Sequence, residues 1–177
     1  SGEEVGALAM AYAAGRDDPA MARALAVVAR ERGAPGYARA AEARAGMAGD
    51  QIEGETLTQL RQAVQESPGA LEAHLLLAEA LNDSGHSDEA LAEIETALRL
   101  APGDLRARRV RLEILLSLER SAEARAEGEA LLATPLARQV EVALYSAAAA
   151  ADLGRLDQAI AEMRAVVARS PHVPVHW

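Results

Sequence analysis

The sequence contains no cysteine, no phenylalanine and no lysine. Without cysteine the chain cannot form a disulfide framework, a thiolate zinc site or a cysteine nucleophile. With only three tyrosines and one tryptophan as aromatic residues, its core must be built from aliphatic side chains on closely approaching elements. No uncharged apolar stretch approaches the length of about 18 residues that a membrane span needs, so the sequence predicts no transmembrane helix.

Alanine and acidic residues dominate what is present. Alanine accounts for 43 of the 177 residues. Because alanine is the best helix former and a poor strand former, this composition predicts an all-α fold. The net charge is −9, and all 18 basic residues are arginine. An acidic chain of this kind lacks the basic footprint of a nucleic-acid binder, so we expect no nucleic-acid partner.

Residues 71–104 contain a helix–turn–helix pattern that ends at Pro102. Small and apolar residues recur at spacings of three and four, which places them on one face of each of two helices. They are Leu77, Ala78 and Leu81 in the first helix and Ala90, Ile94 and Ala97 in the second. The alanines are expected where the paired helices approach most closely, and Ser87 is the predicted N-cap of the second helix.

The same pattern returns about every 34 residues. The clearest further copy covers residues 140–173, and residues 37–70 and 105–139 match less closely. Gly128 is a poor match to Ile94 in the copy at 105–139, where Ser121 is the predicted N-cap. The residues expected to pack in these copies are Leu60, Ala63, Leu112, Leu115, Ala124, Leu131, Ala147 and Ala159.

Two helix starts are predicted outside these clear positions. Thr134-Pro135 has the composition of a cap followed by a first helical residue. Residues 1–36 give a looser copy, whose second helix starts at Asp18-Pro19. Its expected packing positions are Ala20, Ala24 and Val27.

This pattern resembles the tetratricopeptide repeat family. The resemblance implies an all-α solenoid of antiparallel helix pairs in a right-handed superhelix, with about ten helices in one array over residues 1–177. The family's first-helix tryptophan is replaced by His74, Arg108 and Ala143. The expected repeats are 1–36, 37–70, 71–104, 105–139 and 140–173, followed by 174–177 as a tail or the start of a further repeat of a longer bacterial protein.

The resemblance also implies that the first helix of each repeat lines a concave groove that binds a protein or peptide. The stripe starts small and apolar, becomes acidic, then basic, and ends mixed. Its residues are Ala38, Ala41, Ala45, Ala48, Glu72, Leu75, Glu79, Asn82, Asp83, Arg106, Arg109, Glu113, Leu116, Glu141, Leu144, Ala148 and Asp152. The four alanines are expected to line this groove, unlike the alanines that bring paired helices together.

The charges of the stripe leave two interpretations open. Charged runs are commonly solvated faces. Alternatively, the partner carries both a basic and an acidic stretch, and Arg106 and Arg109 bind its carboxylates with their planar guanidinium groups. A chaperone-tail clamp is not expected, because Leu75 and Glu79 occupy its lysine and asparagine positions. The small groove residues could also accept an amphipathic helix or the same surface of a second copy.

Enzyme chemistry has little support in the sequence. His172 and His176 are separated by prolines that prevent the helix needed to align them, so we expect no metal site there. His74 stands at a packing position and is expected to be a buried structural histidine. No phosphate-binding glycine loop and no hydrolase motif occurs, and we expect no cofactor and no enzymatic activity.

The expected role is therefore a non-enzymatic scaffold or adaptor. A bacterial envelope assembly of the secretion, cytochrome-maturation or protease-adaptor type fits a cysteine-free, acidic chain, which favours the periplasm and leaves the cytoplasm open. The alternative is a regulatory or substrate-recruiting domain of a larger enzyme such as a transferase.

Overall fold

The computed structural model describes residues 19–46, 54–134 and 140–169. Within these ranges every regular element is an α-helix, and there are nine of them. The chain divides into two compact parts, residues 1–103 and residues 104–177. We call them the N-terminal body and the C-terminal body and describe each by itself.

The described part of the N-terminal body contains five helices. They are α1 (Pro19–Glu31), α2 (Pro35–Gly46), α3 (Gly54–Glu66), α4 (Leu71–Asp83) and α5 (Ser87–Leu100). Each helix packs against the next one along the chain, and α2 also contacts α4. The α4–α5 pair lies within the predicted repeat 71–104, as the sequence pattern requires.

The described part of the C-terminal body contains four helices. They are α6 (Leu105–Ser117), α7 (Ser121–Leu132), α8 (Val140–Asp152) and α9 (Leu156–Arg169). Neighbours in sequence again pack together, and α6 also contacts α8. The first helix of a repeat therefore contacts its own second helix and the first helix of the following repeat. The division of the whole chain into five repeats stays a prediction.

The alanines that were predicted to bring helices together are buried in both bodies. Ala78, Ala90 and Ala97 are fully buried in the N-terminal body, and Ala124 is fully buried in the C-terminal body. Ala147 and Ala159 join Ala150 in one cluster between α8 and α9. The prediction of all-α helix pairs with small residues at their contacts is confirmed.

The predicted caps at Ser87 and Ser121 are wrong. Both serines are the first residues of their helices, and neither His86 nor Arg120 before them caps with its side chain. The Ser87 hydroxyl instead donates to Asn82 Oδ1 at 2.9 Å, so it ties the turn to the preceding helix. A side-chain cap does occur at Asp104, whose carboxylate accepts from the Ala107 amide at 2.8 Å. In the Thr134-Pro135 pair, residue 135 lies outside the described ranges.

The packing face predicted for α1 is also wrong. The described helix begins at Pro19, as expected, and Ala24 and Val27 are exposed. The buried alanines of α1 are Ala22, Ala26 and Ala29. These positions lie two residues further on than the predicted ones. Because a shift of two residues turns a helix by about 200°, this small error selects the opposite face.

The turn between the two helices of a repeat requires a left-handed residue. Gly85 and Gly154 fill this place between α4 and α5 and between α8 and α9, with φ of 78° and 74°. Between α6 and α7 the same place is taken by Glu119, with φ of 57°. An L-residue with a side chain is strained in this conformation, so the C-terminal body contains one turn that is less favourable than its neighbours.

Candidate functional site

The predicted groove residues of the N-terminal body are largely buried. Ala38 and Ala41 are each 1% exposed, Ala45 is 8% exposed and Glu72 is 6% exposed, while Leu75 is fully buried. The sequence distinction between groove alanines and packing alanines is therefore wrong for the three alanines of α2, which are enclosed as tightly as those at helix contacts. Ala48 lies outside the described residues.

The remaining groove residues of this body lie at the C-terminal end of α4. Glu79 and Asn82 are partly exposed, and Asp83 is exposed. Glu79 pairs with Arg44 of α2 at 4.0 Å, and Asn82 accepts the Ser87 hydroxyl. These polar groups therefore serve contacts within the body.

All eight predicted groove residues of the C-terminal body are accessible. The four on α6 are partly exposed and the four on α8 are exposed, with Leu144 at 42%. Together with Tyr145 they form what we call the α6–α8 surface. Its members are Arg106, Arg109, Glu113, Leu116, Glu141, Leu144, Tyr145, Ala148 and Asp152.

Tyr145 links the two helices of this surface. Its hydroxyl donates to the Glu113 carboxylate, and Glu113 also lies 3.5 Å from Arg109. Desolvation raises the pKa of Tyr145, and the negative charge of Glu113 raises it further, so the hydroxyl stays a donor at neutral pH. Sequence reasoning missed this residue, although Tyr145 is the only aromatic side chain between residues 38 and 176.

A second set of polar contacts joins the helices within each repeat. The His74 ring lies 2.7 Å from Glu93 and 3.0 Å from the Pro68 carbonyl, through its two nitrogens. Both neighbours are acceptors, which favours the doubly protonated ring. The hydrogen bond to Glu93 accordingly raises the pKa of His74, and desolvation opposes it. The prediction of a buried structural histidine is confirmed, with the ring 4% exposed.

The equivalent pair in the next repeat uses arginine. Arg108 stands 34 residues after His74, and Glu127 stands 34 residues after Glu93. Arg108 binds Glu127 at 2.6 Å, and Arg111 binds the other oxygen of Glu127 at 2.8 Å. Two of the four clustered arginines are thus held by one carboxylate, and Arg106 and Arg109 are the two that lie on the predicted groove.

A buried arginine organises the C-terminal body. Arg125 of α7 is 8% exposed at its side chain and donates to Ser146 of α8 through both the backbone carbonyl and the hydroxyl. It also binds Glu162 of α9 at 2.7 Å and Glu129 at 2.8 Å. Nothing in the repeat pattern marks this position as polar, so sequence reasoning missed it.

The poor match at Gly128 has a structural reason beside this arginine. A Cβ atom at Gly128 would lie only 2.9 Å from the Ser146 side chain. Glycine therefore lets α7 and α8 approach closely where a larger residue stands in the neighbouring repeat.

The described residues hold neither a metal cluster nor a membrane span. No group of three or more His, Asp or Glu residues that could hold a metal ion occurs among them. None of the described helices has the length and apolar character needed to cross a bilayer. His172 and His176 lie outside the described residues.

The comparisons with known proteins agree with the helix pairs described above. The family model of the tetratricopeptide repeat matches residues 54–114. No curated protein sequence matches the chain.

Solved structures share the fold. TTC0263, a thermophilic TPR protein of Thermus thermophilus, matches with TM-score 0.67 and 22% identity over 97% of this chain and 93% of its own. YrrB, described as a TPR protein with an unusual peptide-binding site, matches with TM-score 0.69 and 14% identity over 92% and 84%.

MamA is a third similar protein. Its AMB-1 structure matches with TM-score 0.71 and 15% identity over 97% of this chain and 99% of its own. The match to a MamA double mutant, at 20% identity and TM-score 0.61, covers 66% of this chain and 65% of that one, slightly less than two thirds. At these identities the likeness shows a common fold.

Proposed function

We propose that this chain, a tetratricopeptide-repeat protein, is a non-enzymatic scaffold that holds a partner protein or peptide on the α6–α8 surface. The observation that carries the proposal is the accessibility of this surface. All eight of its predicted residues are at least partly exposed, while five of the eight described positions in the N-terminal body are buried. The predicted stripe is thus open to a ligand in one body and mostly closed in the other.

The chemistry of the α6–α8 surface suits a peptide segment of mixed character. Leu144 and Ala148 offer an apolar strip, and the Tyr145 ring lies beside them with its hydroxyl fixed by Glu113. Half-buried aromatic side chains with a fixed polar end are frequent anchors in protein interfaces. The ligand's apolar side chain is expected on Leu144.

The charged residues set the electrostatic character of the ligand. Arg106 and Arg109 face a ligand with carboxylates, which a guanidinium group binds in two-pronged fashion. Glu141 and Asp152 are exposed on α8 and favour basic groups elsewhere on the same ligand. Charges of this kind mainly set the rate of encounter and the register of the ligand.

The similarity to YrrB supports a peptide as the ligand class, because that protein is described as having a peptide-binding site. An envelope assembly is the proposed setting, on the ground that the chain is acidic and free of cysteine. A secretion signal in the intact gene product would support this setting. A catalytic domain in the same product would instead support the alternative role as a regulatory domain of an enzyme.

The proposal is tested by capture of partners from a native extract with the intact protein as bait. We expect the double variant Arg106→Glu plus Arg109→Glu to lose captured partners, and the wild-type interaction to weaken with salt. The matched control is Arg61→Glu plus Arg99→Glu, which reverses two exposed arginines on α3 and α5.

Two outcomes would contradict the proposal. In the first, the α6 charge reversal leaves the captured partners and their salt dependence unchanged. In the second, the control variant loses the same partners, which would place binding on the second helices of the repeats. Circular dichroism of both variants establishes that the helices are intact.

A further inference from the structure

The last described helix carries an apolar stripe that is exposed to solvent. Leu156 is 60% exposed, Ile160 is 47% exposed and Val167 is 55% exposed, and Met163 between them is partly exposed. The spacings between these residues are four, three and four. This is the a and d pattern of a coiled-coil seam, in which apolar residues recur every 3.5 residues on average.

The equivalent face of α7 shows what such a face does in this fold. Ser121, Arg125 and Gly128 stand 35 residues before Leu156, Ile160 and Met163. Ser121 binds Asp152, and Arg125 and Gly128 both contact Ser146, so all three positions lie against α8. The start of α7 meets the end of α8, which makes the contact antiparallel. The apolar stripe of α9 therefore occupies a face that receives an antiparallel helix.

The charges beside the stripe identify the helix that fits. Asp157 and Arg164 are exposed, and each follows a d position of the seam, Leu156 and Met163. In an antiparallel coiled coil these flanking positions face each other across the interface. Two copies of α9 related by a two-fold axis place Asp157 of each copy beside Arg164 of the other, twice.

The apolar layers close in the same arrangement. Leu156 of one copy meets Val167 of the other, and Ile160 meets Met163, which gives four layers in all. The pairing is self-complementary, as an interface between identical subunits must be. We infer that α9 is a self-association surface, on which a second copy of this chain docks its own α9 antiparallel to form a symmetric dimer.

The size of the contact sets its strength. A helix of 14 residues is about 21 Å long and supplies two heptads. This is a small interface, so the dimer is expected at the weak end of specific association. No folding cost opposes it, since Ala159 and Met163 already anchor α9 to the cluster on α8. The surface is separate from the α6–α8 surface and does not depend on the proposed ligand.

The test measures the mass of the full chain by sedimentation equilibrium over a wide concentration range. The wild type is expected to rise from 18.6 kDa toward twice that mass. Asp157→Arg and Arg164→Asp should each weaken the dimer roughly tenfold, because each creates two like-charge contacts. Mixing these two variants should restore association, since the mixed dimer has two opposite-charge pairs, and the double swap in one chain should restore it as well.

A substitution on the seam provides the second arm. Ile160→Glu should remove dimerisation, and Leu100→Glu, at a similarly exposed leucine of α5, should leave it unchanged. A strict monomer at every concentration would overturn the inference and leave the α9 face to a different helix. Self-association that survives both Ile160→Glu and the single charge reversals would overturn it as well.

Discussion

The two bodies fill one repeat position with different chemistry. In the N-terminal body His74 binds Glu93, and 34 residues later in the C-terminal body Arg108 binds Glu127. Both pairs join the two helices of a repeat at the place where the family has a tryptophan. The histidine pair loses its charge when the ring is deprotonated, whereas arginine stays protonated at every pH that a folded protein tolerates. The same helix contact is therefore sensitive to pH in one body only.

The next repeat shows how the contact is made without a base in that position. Ala143 replaces the basic residue, and Glu162 stands where Glu93 and Glu127 stand in the earlier repeats. Glu162 is bound by Arg125, which comes from the preceding repeat. The C-terminal body thus gains a link between three helices, whereas the N-terminal body relies on alanine packing around α2.

The largest expected effect tests that link. Arg125→Ala should lower the free energy of unfolding by about 3–5 kcal/mol, because Glu162 would keep a buried charge without its partner. Arg30→Ala in the N-terminal body removes an ion pair to Glu42 that is 60% and 38% exposed and should cost less than about 1 kcal/mol. Urea denaturation of both variants measures the difference. Equal effects would show that the buried network contributes no more than a surface pair.

A second comparison uses one repeat position that both bodies fill with alanine. Ala45 is 8% exposed on α2, whereas Ala148 is exposed on α8. Ala45→Leu should destabilise by about 1–3 kcal/mol through overpacking, and Ala148→Leu should change stability by less than about 0.5 kcal/mol. Thermal melts decide it. If Ala45→Leu melts like the wild type, this position faces an open groove, as the sequence pattern predicted.

The pH dependence of the histidine pair gives a smaller effect. The pKa of folded His74 lies above its unfolded value, so the pair stabilises the protein fully below the unfolded pKa of about 6.5. This contribution is lost as the pH rises through the higher folded pKa. The difference in unfolding free energy between wild type and His74→Gln should therefore shrink between pH 6 and pH 9.

The arginine pair supplies the control for that experiment. The difference between wild type and Arg108→Gln should stay constant over the same pH range, because Arg108 does not titrate there. A His74→Gln difference that is equally flat would show that the ring is neutral in the folded protein throughout.

The smallest effect concerns the turns. Glu119→Gly should raise the free energy of unfolding by about 0.5–1 kcal/mol, because it relieves a left-handed residue that bears a side chain. Gly85→Ala, at the matching turn of the N-terminal body, should lower it by about 1 kcal/mol. Differential scanning calorimetry measures both. A destabilising Glu119→Gly would mean that the glutamate side chain makes a contribution larger than the strain.

The helix pairs and their close contacts were predictable from the sequence because spacing alone determines them. Ala78, Ala90 and Ala124 recur at helical intervals that leave one possible face. The face of α1 was not predictable in this way, since alanines at Ala20, Ala22, Ala24 and Ala26 mark both sides of the helix equally.

The candidate site was harder to predict, because its properties depend on contacts between repeats. Periodicity placed Ala41 and Leu144 on the same kind of stripe, and it carries no information on how far a neighbouring helix encloses either residue. Tyr145 and Arg125 gain their roles from partners on other helices, Glu113 and Ser146. A pattern within one repeat cannot show such partners.

The most direct test of the central claim is amide hydrogen exchange of the intact protein with and without a captured partner. Exchange reports local opening and is slowed where a ligand covers or rigidifies a helix. We predict that protection increases in α6 and α8, over residues 105–117 and 140–152. Protection confined to the helices of the N-terminal body, or to α7 and α9, would contradict the assignment of binding to the α6–α8 surface.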